Sequence, residues 1–77
     1  MAGDTLLRVG GVEDENGVEE IRDALDELGV EYEHARSEPE DSYPQTVYFY
    51  VPDEAAGEVE RLVGRLSEEH GYDAEVL

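Results

Sequence analysis

The chain has 77 residues, of which 22 are acidic and 5 basic, a formal charge of −17; every cation is an arginine. The length suits one small domain over residues 1–77. Cysteine is absent, which excludes a disulfide scaffold and a thiolate metal centre, and an acidic surface repels phosphates, which argues against nucleic acid and anionic membranes as partners.

The apolar residues make up 39% of the chain and fall in periodic blocks, which favours a folded domain with an acidic skin over a disordered chain. Thr5–Val9 reads as a strand, and Gly10 and Gly11 loosen it toward a turn. In the polar stretch that follows, Asn16 can cap a helix, with Glu19 as reciprocal partner. Val18, Ile21, Leu25 and Leu28 recur at helical spacing, and Gly29 can end the helix in the left-handed conformation. Val30–Ala35 alternates apolar and charged residues, with Val30, Tyr32 and His34 on one face, as a strand does. The segment 36–45 holds two prolines and reads as a long loop.

Thr46–Val51 is the strongest strand pattern, rich in β-branched and aromatic residues. Pro52 stops it, and Asp53 can cap a second helix carrying Ala55, Ala56, Val59, Leu62, Val63 and Leu66 on one stripe. Arg65 and Glu69 have the spacing of an ion pair on its wet side. Gly71 ends this helix, and Tyr72–Leu77 forms a last strand with Ala74 and Val76 facing in. The order β-α-β-β-α-β closes, through right-handed crossovers, into an α+β ferredoxin-like sandwich. It has a four-stranded antiparallel sheet with both helices on one face.

At this point the residues resemble the heavy-metal-associated domains of the copper-chaperone type. Gly11 and Val12 take the Gly-Met positions of that family's pattern, and Asp14 and Gly17 take its two cysteine positions. Val18, Ile21, Ala24, Leu25, Leu28, Gly29 and Val30 follow in register, and residues 71–77 are similar to the family's last loop and strand. The resemblance implies the fold. A carboxylate and a glycine cannot supply the thiolates that Cu(I) requires, so it argues against metal transfer. Small regulatory domains of the ACT type share this topology, pair, and bind small ligands, though no sequence feature is specific to them.

Three candidate sites follow. In the family the chain resembles, the first loop lies beside the one that here holds Gly71 and Tyr72, so the resemblance implies that His70 lies near Glu13 and Asp14, a divalent-ion site of carboxylates and imidazole. Helix N-terminal acidity accounts for the same carboxylates without a ligand. Tyr48 and Tyr50 alternate with the inward set Val47, Phe49 and Val51, and so project from the helix-free face of the sheet. There they suit a protein partner or a second copy. No base–nucleophile pairing can be argued for His34, the hydroxyls Ser37, Ser42 and Ser67 have no local motif around them, and no acid pair stands out as general acid and base. The expectation is a non-catalytic binding module with no cofactor; its alternatives are an ion-binding domain and an ACT-like ligand-regulated dimer.

The acid excess without lysine resembles the composition of proteins from salt-loving archaea, which implies a cytoplasm of molar salt. Surface repulsion at −17 is strong in dilute buffer, whereas molar salt shortens the Debye length to about 3 Å. Desalting from molar KCl to a few millimolar should therefore lower the melting temperature or unfold the chain. Far-UV circular dichroism checks this, and a melting curve unchanged by desalting would refute the halophilic reading.

Overall fold

The computed structural model describes residues 3–77. In chain order the elements are β1 (Asp4–Val12), α1 (Glu15–Leu28), β2 (Glu33–Glu38), β3 (Gln45–Pro52), a short 3-10 turn (Asp53–Ala55), α2 (Ala56–His70) and β4 (Asp73–Val76). The sheet order is β2-β3-β1-β4 with every neighbouring pair antiparallel, the arrangement expected of a ferredoxin-like α+β sandwich.

Strand alternation sorts the side chains. Leu7, Val9 and Val12 of β1 and Val47, Phe49 and Val51 of β3 are buried against Ile21 and Leu25 of α1 and Val59 and Val63 of α2. Phe49 is the largest fully enclosed side chain, met edge-on by the Tyr32 ring at 5.8 Å. Burying a Phe or Leu stabilises a fold by roughly 1.5–3 kcal/mol, so this layer supplies most of the driving force in so small a chain. Val18, Leu28, Val30, Leu62, Tyr72 and Val76 seal its rim.

Several local expectations need correction. The first helix is capped by Asp14, not Asn16: the Asp14 carboxylate accepts from the Gly17 amide at 3.1 Å. An aspartate three residues ahead of a small residue can satisfy that orphan amide directly, which leaves Asn16 inside the first turn. Gly10 and Gly11 do not end β1. They form a bulge within it, where Gly11 takes φ +76°, and Val12 rejoins the inner face opposite Gln45.

Strand β2 starts three residues later than Val30 and runs on to Glu38. Its alternation is broken between His34 and Arg36, so the simple two-residue period misplaces its ends. The loop into β3 is correspondingly shorter, residues 39–44 in place of 36–45. Asp53 opens a 3-10 turn, and α2 itself has no side-chain cap. Arg65 and Glu69 are not paired; Glu69 instead approaches His70 at 3.9 Å. Gly29 and Gly71 end their helices left-handed, at φ +78° and +75°, as the sequence predicts.

Gly64 sits in the middle of α2 on its solvent side, and a Cβ built there meets nothing within 4 Å. Alanine at this site gains helix propensity without a clash. Gly64→Ala should raise stability by about 1 kcal/mol, read as a higher denaturant midpoint at unchanged slope.

Candidate functional site

The β1–α1 and α2–β4 connections end side by side and enclose a cleft of about 270 Å³. Its lining includes Glu13, Asp14, Gly17, Glu20, His70 and Tyr72. The three residues singled out from sequence, Glu13, Asp14 and His70, thus share one surface. Two of them have other partners: Asp14 caps α1, and His70 Nε2 lies 3.1 Å from Glu20 Oε2. Among the described residues no group of three or more His, Asp or Glu side chains is arranged to hold a metal ion.

Gly17 explains the shape of the cleft. A Cβ at this position would stand 2.9 Å from both the Tyr72 hydroxyl oxygen and Val12 Cγ1, too close for any real side chain. Glycine is therefore what leaves room for the Tyr72 hydroxyl and the Val12 side chain against the first turn of α1. Tyr72 closes the other wall, its ring stacked on His70 at 5.4 Å. Gly17 was matched from sequence only to a cysteine position, and Glu20 and Tyr72 were not named as site residues. The signal available was the i,i+3 spacing that puts Gly17 and Glu20 on one helix face, but their proximity to Tyr72 depends on the sheet order.

The second surface is the helix-free face of the sheet. Tyr48 and Tyr50 project there as predicted, with Tyr50 43% exposed. Arg36 lies over the Tyr48 ring, its guanidinium carbon 4.5 Å from the centroid, a cation–π contact that assigning Arg36 to a loop had hidden. Arg8, opposite Tyr48 on β1, pairs with Glu75 on β4 at 2.8 Å. His34 is exposed, with its ring 5.1 Å from Phe49 and its Nε2 3.0 Å from the Ser37 hydroxyl.

Burial, reinforced by the carboxylates of Glu20, Asp14 and Glu13, holds the Tyr72 phenol above its ordinary value. The folded state therefore keeps this proton longer than the unfolded chain. The contribution is intact below about pH 10 and is lost as pH rises through the higher folded value. Tyr72→Phe should flatten that part of the alkaline stability loss and remove a late phenolate step from the ultraviolet titration.

No family model matches the chain, and no curated protein matches it. The heavy-metal-associated resemblance is thus unsupported at the level of family. The structure gives Asp14 and Gly17, at the cysteine positions, other work as helix cap and close-approach glycine. Among solved structures the fold matches the regulatory subunit of aspartate kinase from Thermus thermophilus in its ligand-free form, with a TM-score of 0.81 at 19% identity. The match covers 100% of this chain and 53% of that one, so the present chain spans about half the length of the protein it resembles. At that identity the likeness shows a common fold.

Proposed function

We propose that the chain is a non-catalytic regulatory module that responds to a small metabolite bound in the cleft between the β1–α1 and α2–β4 connections. The observation that carries this reading is the whole-chain match to a regulatory subunit. The cleft lies at one end of the sandwich and is large enough for a small metabolite. Its chemistry selects among ligands. Glu13, Asp14 and Glu20 favour an ammonium group, and the Tyr72 phenol offers a hydrogen-bond donor. Free amino acids and small amines meet that description; phosphorylated metabolites do not.

Melting the protein in molar KCl against a panel of free amino acids and small amines tests this. A ligand at a hundred times its dissociation constant adds about 2.7 kcal/mol, which raises the melting temperature of a domain this size by about 15 °C. Glu13→Gln and Glu20→Gln should each weaken that response. If a divalent cation alone shifts melting, the ion site of Glu13, Asp14 and His70 is the better reading; if nothing does, the ligand reading fails.

A further inference from the structure

Strand register arranges the helix-free face into rows. One row runs Glu33, Tyr50, Leu6 and Leu77 across β2, β3, β1 and the end of β4, and the next runs Arg36, Tyr48, Arg8 and Glu75. The first is apolar at its centre and toward β4, where Tyr50 is 43% and Leu77 58% exposed. The second holds two of the five arginines of a chain that carries 22 acids. Exposed apolar side chains and cations are both scarce in this molecule, yet they lie in adjacent rows of one surface.

The order of charges along the second row points to what covers it. Its cation stands at the β2 edge (Arg36) and its anion at the β4 edge (Glu75), with Tyr48 and Arg8 between. Turning a copy of the sheet over about an axis parallel to the strands, between β1 and β3, reverses the row while keeping its level. Arg36 then faces Glu75 of the other copy, Tyr48 faces Arg8, and in the next row Tyr50 faces Leu6. Each of these three pairs is attractive and occurs twice; Glu33 then faces Leu77, and within each copy Arg36 already pairs with Glu38 at 3.2 Å and Glu75 with Arg8 at 2.8 Å. Turning the copy about the perpendicular in-plane axis sets Arg36 against Arg36 instead. We propose that two copies of this chain pair face to face through this sheet surface, about a two-fold axis running along the strands.

The footprint is four strands wide, about 19 Å, and about as long, which falls below the area of stable interfaces and in the range of weak, transient ones. The dimer is therefore weak and forms at high concentration. Glu38 and Asp73 flank the Thr46 level, and in this pairing they meet their like across copies. Both copies are also acidic overall, so association strengthens as salt rises, the reverse of a simple ion-pair interface. This inference is independent of the ligand reading, since the cleft lies at the end of the sandwich and not on this face.

Sedimentation in molar KCl, from about 10 µM to about 1 mM, tests it, with far-UV dichroism confirming that each variant is folded. The wild type should show a concentration-dependent dimer. Tyr50→Ser should weaken it about tenfold, a loss of about 1.4 kcal/mol. Arg36→Glu and Glu75→Arg each set like charges across the axis and should be monomeric alone. An equimolar mixture of those two variants restores both contacts and should dimerise again. A wild type monomeric at every concentration would overturn the proposal. So would a dimer that Tyr50→Ser and Arg36→Glu leave unchanged, or a mixture that fails to recover association.

Discussion

A single apolar layer has to offset both the ordering entropy of the chain and the mutual repulsion of a surface charged to −17. That layer is one sheet face, built on Leu7, Val9, Val47, Phe49 and Val51, closed by one stripe from each helix. With little apolar surface to spare, every other face is given to carboxylates. The cleft follows that rule, an acidic recess walled by Tyr72, while the helix-free sheet face sets Tyr50, Leu6 and Leu77 beside two arginines, between Glu33 and Glu75 at its edges.

Fold was legible in this sequence because the driving force is periodic. Val47, Phe49 and Val51 alternate with Thr46, Tyr48 and Tyr50, and burial follows that alternation. The stripe from Ala55 to Leu66 likewise turns its valines into the core. Element ends were less legible, because polar side chains decide them. Asp14 and Asn16 are both able caps two residues apart, and only the closed turn selects between them. The bulge between His34 and Arg36 shifts β2 by a residue, and no residue type marks it in advance.

The candidate site was half legible. Charge found Glu13 and Asp14, and the family resemblance put His70 and the Tyr72 loop beside them, but the close approach of the Tyr72 hydroxyl to Gly17 joins residues 55 positions apart and exists only once β4 is paired beside β1. That same glycine had been matched to a metal-binding cysteine by pattern alone. Its structural duty is steric: it removes a side chain where two elements nearly touch. A small residue at a motif position carries no chemical message until the neighbour it makes room for is known.

Strand β4 deserves its place in that account for its brevity. It is four residues long, hydrogen-bonded along one side only, to β1, and it begins immediately after Tyr72. Its outward residues include Glu75, and Leu77 follows at its end. A strand about 13 Å long thus follows directly on the tyrosine that walls the recess and carries Glu75 on the helix-free face. Two ladders of backbone hydrogen bonds, β4 to β1 and β1 to β3, separate that strand from the tyrosines of β3.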